Sequence, residues 1–220
     1  MHSLCTLLLG GLFAGGLLTG PAWADEDQPL DGPLVLVADP AVKDPAFKET
    51  VLLVTPMPDG GYVGVIANRP TSVRLATLFP GQEPSQNVHD PVYFGGPMGG
   101  VLVALLKSEA SPGGKSLSMG SGVYLAVEER VIDRIIEQTP NNARYLVGVV
   151  EWQPGELDEQ LSRGVWQIAH TSADTVIHSD NGLLWRELSR TATRAPGAAA
   201  PEPSEPLPDD APSGAGAGTV

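Results

Sequence analysis

Short apolar runs, broken at close intervals by glycine, proline and aspartate, constrain this chain more than any other feature. Residues 33–38, 50–55, 62–68, 92–94, 101–106, 122–125, 144–150 and 164–169 are each too short for a core helix. They end at turn chemistry such as Asp39-Pro40, Pro58-Asp59-Gly60-Gly61 and Ser111-Pro112-Gly113-Gly114. These runs predict strands, and the glycine turn at 58–61 predicts a β-hairpin between the second and third. Residues 144–150 predict a strand buried on both faces.

Helical patterns are fewer. Apolar residues at 127, 131, 132, 135 and 136 recur at helical spacing, with Glu128, Glu129, Asp133 and Arg134 opposite. Residues 71–78, capped by Thr71 or Ser72, predict a second helix, and 154–163 a short acidic third. Residues 180–190 predict a last helix with Leu183, Leu184 and Leu188 on one face, and Asp44-Pro45 opens a helical turn. Residues 80–90 read as a polar loop. Hairpins precede helices without regular βαβ repetition. The fold class expected is therefore α+β, with a largely antiparallel sheet and one domain over 33–194.

Charge excludes one class of function. The formal net charge is −13, and four acids lie in 25–31 and four more in 195–220, neither of which holds Lys or Arg. With no basic run to neutralise phosphates, no nucleic-acid partner is expected. Residues 25–32 read as an acidic spacer, and 195–220, rich in Ala, Pro and Gly without apolar periodicity, as a disordered tail. Residues 4–20 are uncharged and rich in Leu and Gly, and Ala22-Trp23-Ala24-Asp25 supplies an A-x-A site. Residues 1–24 are therefore expected to be a signal peptide cleaved after Ala24, with a periplasmic or secreted product and only transient membrane contact. Cys5 is the sole cysteine and would leave with it.

Several landmarks occur together in order. They are Asp44-Pro45-Ala46-Phe47, Gly64-Val65-Ile66-Ala67-Asn68-Arg69-Pro70, Tyr93-Phe94-Gly95-Gly96-Pro97 and the run from Gly148 through Glu151-Trp152-Gln153-Pro154 to Leu157, then Gly164-Val165-Trp166 and Leu184-Trp185-Arg186. Over residues 33–187 the chain resembles the YqgE/AlgH family. The resemblance implies a small, largely antiparallel β-barrel with helices around it. Some members carry a transcriptional-regulator label, and the family brings no established biochemical activity. Its members usually carry a His where Thr55-Pro56-Met57-Pro58 stands here, and cytoplasmic placement is the family's alternative to export.

Candidate ligand-facing residues are Asn68, Arg69, Gly95, Gly96, Pro97, Trp152 and Glu156. Arg69 offers a planar cation for a carboxylate or phosphate, though Asn68-Arg69-Pro70 also reads as turn chemistry. Gly95-Gly96-Pro97 permits close backbone approach or an anion-binding concavity, and equally a tight turn. Trp152 and Glu156 flank a strand-to-helix junction, as a pocket wall or as core and helix start. Catalytic signatures are missing: Glu109 stands where a phosphate-binding loop ending Gly114-Lys115-Ser116 needs glycine, and Ser121 is not in a G-x-S-x-G turn. His89, His170 and His178 lack metal-ligand spacing, so no metal or cofactor is expected. The reading is a binding or regulatory module for an unknown small molecule or protein. Its rivals are a small hydrolase or transferase using Arg69 with Glu151 or Glu156, and a protein partner docked through the acidic tail.

Overall fold

The computed structural model describes residues 32–195 together with 197 and 198. The leader, all but one residue of the acidic spacer and most of the tail lie outside the described residues. Ten strands form one curled, mostly antiparallel sheet: β1 Leu34–Ala38, β2 Val51–Pro56, β3 Tyr62–Ile66, β4 Pro70–Arg74, β5 Pro91–Phe94, β6 Met98–Lys107, β7 Leu117–Ser118, β8 Val123–Ala126, β9 Ala143–Trp152 and β10 Trp166–Ile168. Five helices accompany it: α1 Leu75–Leu78, α2 Glu129–Gln138, α3 Glu156–Ser162, α4 Ala173–His178 and α5 Asn181–Leu188. The sheet runs β10-β1-β2-β3-β9-β6-β8-β7, with β5 joined to β9 in parallel and β4 paired to β5. The result is an α+β half-barrel in a single domain.

Strand residues alternate between apolar layers, which explains why the runs read as continuously apolar. Val51 and Leu53 of β2, Val63 and Val65 of β3, and Val103 and Leu105 of β6 share the inside of the curl. Leu52, Val54, Tyr62 and Ile66 face a second layer with Leu157 and Leu161 of α3. Ala104 and Leu106 face a third with Val131, Ile132, Ile135 and Ile136 of α2. Each of those four helix side chains stabilises the fold by about 1.5–3 kcal/mol through burial. The inside is completed by Ala173 and Val176 of α4 and Leu184 of α5. Tyr145 on β9 belongs to the α2 layer, its hydroxyl buried without a hydrogen-bond partner among the described residues, and burial pushes its pKa up to about 12.

Strand β9 holds the two halves of the sheet together. Its C-terminal residues pair with β3, its middle with β5, and its other edge with β6. Midway, Gly148 adopts φ +83°, a left-handed conformation that glycine takes without steric cost. Leu146 and Val149, three residues apart, consequently share the inside of the curl, where a regular strand would place them on opposite faces. The backbones of Gly95 and Gly96 lie against this bulge so closely that any Cβ would run into the carbonyls of Gly148 and Val149.

Some expected elements differ. Residues 71–78 are mostly strand β4, with only one helical turn after it. Burial alternates along β4, and the Thr71 hydroxyl donates to the Val92 carbonyl of β5 (2.7 Å) instead of capping a helix. Asp44 does open the single helical turn expected: its carbonyl accepts from Phe47 and Lys48, and its side chain from Ala46. The loop 80–90 contains a 3-10 turn at Glu83–Asn87, and β6 begins at Met98, ahead of the apolar stretch. Helix α4, absent from the sequence reading, is capped by Ser172 accepting from the Thr175 amide (3.0 Å). On α5, Leu183 is 44% exposed while Leu184 is buried, so the three leucines do not share one buried face.

Candidate functional site

The curl of the sheet leaves one mouth open. A cavity of about 370 Å³ opens there, between the start of β3, the end of β9 and strands β6 and β7. Its walls continue the inside layer, with Val63, Val103, Leu117 and Val149. The hairpin turn closes one side: the Met57 amide donates to the Gly61 carbonyl (2.8 Å), and Asp59 Oδ1 accepts from the Gly61 amide (3.1 Å). At the rim Val101 and Val127 stay 51% and 37% exposed, with Met98, 50% exposed, nearby on β6.

Two carboxylates are the charged side chains lining this cavity, Asp59 on the turn and Glu151 on β9, with the phenol of Tyr62 beside them. Glu151 pairs across the ladder with Val63 and sits two residues after Val149, on the inner face of its strand. It is exposed and makes no hydrogen bond or ion pair among the described residues. The Asp59 carboxylate spends one oxygen on its turn.

A second cavity, about 270 Å³, lies at the far end of β3. There the chain leaves the strand as Ala67-Asn68-Arg69. The Asn68 side chain accepts from the Val51 amide (2.9 Å) and donates to the Glu49 carbonyl (3.1 Å). The Arg69 guanidinium donates to the carbonyls of Pro45, Ala46 and Lys48 at 3.0, 2.6 and 2.7 Å, and lies 5.9 Å from the Phe94 ring centroid. Together the two side chains clamp the loop 45–49 onto the sheet, where Glu49 holds a φ of +57°. Desolvation lowers the Arg69 pKa, with Glu49 opposing.

The seven sequence-derived candidates therefore do not converge on one pocket. Asn68 and Arg69 line the second cavity, and Trp152 borders the first. Gly95 joins the Asn68–Arg69 corner through backbone bonds: its carbonyl accepts from Ile66, and Phe94 donates to the Arg69 carbonyl. The Gly95 amide is itself spent on the Val147 carbonyl, and the Gly95-Gly96 corner makes the close backbone approach to β9. Neither glycine has a positive φ, and Pro97 is exposed outside both cavities. The Trp152 indole donates to Gln160 (3.0 Å), which also accepts from Trp166 (2.7 Å). Glu156 accepts from that glutamine's amide and from the Gln153 backbone, which fixes the chain's entry into α3. Arg69 and Glu151 occupy cavities at opposite ends of β3, and Glu156 lines neither. The strand's length keeps the rival catalytic pairs apart.

Sequence reading missed Lys48, Trp185 and Arg186 of the second cavity and treated Asp59 only as a turn residue. Trp185 and Arg186 stood only in the landmark Leu184-Trp185-Arg186, and no local pattern joins them to Lys48, since two separate segments bring them together. Among the described residues no group of three or more His, Cys, Asp and Glu could hold a metal ion, and no helix is long and apolar enough to cross a membrane.

Comparison with known proteins agrees with this architecture. The model of the AlgH-like family, DUF179, matches residues 35–196. The chain belongs to the AlgH-like family. Among its relatives, a UPF0301 protein of Streptomyces avermitilis is 28% identical over 177 residues, covering 78% of this chain and 92% of that protein. A UPF0301 protein of Xanthomonas campestris is 29% identical over 157 residues, covering 69% and 84%. The solution structure of AlgH from Pseudomonas aeruginosa superposes with a TM-score of 0.57 at 23% identity, covering 72% of this chain and 88% of that one. The crystal structure of DIP2367 from Corynebacterium diphtheriae gives 0.58 at 21%, covering 76% and 89%. These structures share the fold of this AlgH-like chain. The names of the UPF0301 relatives specify no biochemical activity.

Proposed function

We propose that this AlgH-like protein is an exported binding module whose half-barrel mouth takes an apolar ligand bearing a positive charge. One observation carries the reading: the 370 Å³ cavity is walled mostly by apolar side chains, and the charged groups in its lining are the carboxylates of Asp59 and Glu151, with no Lys or Arg among them. Apolar walls supply affinity through area removed from water, and a few polar groups set orientation. Two carboxylates at the entrance favour an amine over a carboxylate, and Glu151 has no partner to surrender among the described residues.

The test compares octylamine with octanoate, ligands of equal chain length and opposite charge, by calorimetric titration. Octylamine is expected to bind saturably and about tenfold more tightly, a difference of about 1.4 kcal/mol. Glu151→Gln and Asp59→Asn together are expected to abolish that preference. Equal binding of both probes, or binding of neither, would sink the proposal.

Export rests on the uncharged stretch at 4–20 and the Ala22-Trp23-Ala24 site ahead of Asp25. N-terminal sequencing of protein made in a bacterial host is expected to begin at Asp25. A sequence beginning at Met1 overturns this part of the reading and leaves the cavity test untouched.

A further inference from the structure

The second cavity has a charge unlike that of the chain around it. The protein carries a formal −13, yet this 270 Å³ pocket is lined by Lys48, Arg69 and Arg186 against the single carboxylate of Glu49. The Arg186 guanidinium has no hydrogen bond or ion pair among the described residues. Among the described residues the Lys48 ammonium pairs with Glu49 alone, at 3.7 Å, with both side chains more than half exposed. Such a pair is worth little in water, so it competes weakly with a ligand. The Arg69 guanidinium is spent on backbone carbonyls, which orient it without supplying a full negative charge. The site therefore holds a net charge of +2 from side chains.

The pocket is also built, not an accident of mobile side chains. Asn68 and Arg69 together make four bonds to the carbonyls of residues 45, 46, 48 and 49, and Asn68 a fifth to Val51. This clamp holds Glu49 in a left-handed conformation that a non-glycine residue seldom keeps unless its surroundings impose it. On the opposite wall, Trp185 is fixed by its indole N–H donating to the Ala38 carbonyl (2.9 Å), which leaves a ring beside the charges.

We infer that this cavity binds the phosphate group of a small molecule. A phosphate carries about −1.5 to −2 at neutral pH and matches the +2 of the lining better than a carboxylate does. The pocket has room for an attached organic group beside Trp185. Free phosphate and a phosphomonoester share this chemistry, and the test separates them.

The full chain is titrated with inorganic phosphate and with phenyl phosphate at constant ionic strength, followed by ¹H–¹⁵N NMR. Saturable shifts are expected at the Gly182 amide, the Asn68 side chain and the Trp185 indole, and not at Gly61 or Glu151 in the other cavity. Lys48→Glu and Arg186→Glu, made singly at exposed heads, are each expected to weaken binding by at least about tenfold while leaving the melting temperature unchanged, as loss of a charge-assisted bond implies. Tighter binding of phenyl phosphate identifies a phosphomonoester site, and equal affinity identifies free phosphate. Absence of saturable shifts at these three groups, or unchanged affinity in both charge-reversed variants, overturns the inference. Glu151→Gln leaves the result unaffected, so this test and that of the apolar mouth fail independently.

Discussion

Gly96→Ala is expected to cost about 3 kcal/mol of stability, the upper end of the overpacking range, because the backbone it meets has nowhere to go. A Cβ at this position would overlap the carbonyl oxygen and carbon of Val149 and approach the Val150 amide within 2.8 Å. These are backbone atoms of β9, and β9 is held by β3 on one side and β6 on the other. Relief would require β9 to shift at its bulge, where Gly148 is packed against Gly96 in turn. For a domain of this size the loss corresponds to a melting temperature lower by about 6–12 °C. Gly99→Ala supplies the control: its nearest neighbour would be the Pro97 carbonyl at 3.7 Å, an ordinary contact, and a change within about 0.5 kcal/mol is expected. If both variants melt alike, the close approach of the two backbones is not what the glycine is for.

Arg144→Leu is expected to destabilise by about 3 kcal/mol or more. The Arg144 guanidinium donates to the carbonyl of Ala67 at the end of β3 (2.6 Å) and to that of Ile177 in α4 (2.8 Å). It lies 4.4 Å from the centroid of the Tyr93 ring, a contact worth up to about 2 kcal/mol when desolvated. Desolvation lowers its pKa, with Tyr93 and Asp90 acting in the opposite direction. Leucine removes the buried charge but leaves two carbonyls without donors, each costing about 1–3 kcal/mol. Arg144→Lys keeps the charge and loses the fork that reaches both carbonyls, so an intermediate loss is expected. Hydrogen exchange gives the distinguishing readout: the amides of α4 should lose protection first, because Ile177 is the point at which this side chain ties the helix to the sheet. Unchanged protection of α4 in a destabilised Arg144→Leu variant would show that the tie is unimportant.

Both residues show how sequence and structure divided the work. Gly95-Gly96 was visible as a place where backbone could approach something, but the partner is Gly148, more than fifty residues away, and only pairing of β5 and β6 with β9 brings it there. Arg144 sat in a run that read as a doubly buried strand, with nothing to show that its head crosses to β3 and α4. The helix expected at 71–78 failed because β5 offered β4 a ladder, and tertiary pairing outweighs the weak helical preference of a short segment. Helix α4 went unseen because a six-residue segment is too short to establish a period.

The candidate site was legible only in pieces. Asn68 and Arg69, candidates from the sequence, line the second cavity, and their side chains hold the loop 45–49 beside the Lys48 and Arg186 charges. Trp152 was placed near a cavity, while Glu151 beside it, read only as a catalytic rival, is the residue that faces inward. The bulge at Gly148 reverses which residues of β9 point into the curl, and a period-two reading through that glycine mis-assigns one half of the strand.

The α+β class, the mostly antiparallel sheet and the amphipathic α2 were determined by local pattern, because apolar periodicity and turn chemistry act over a few residues; the family resemblance rested instead on landmarks such as Tyr93-Phe94-Gly95-Gly96-Pro97 occurring in order. The tertiary structure alone decided that the candidate residues divide between an acidic apolar mouth and a basic pocket. Side chains meet in a cavity only when strands distant in sequence are brought into register, and that register depends on backbone contacts no single segment encodes.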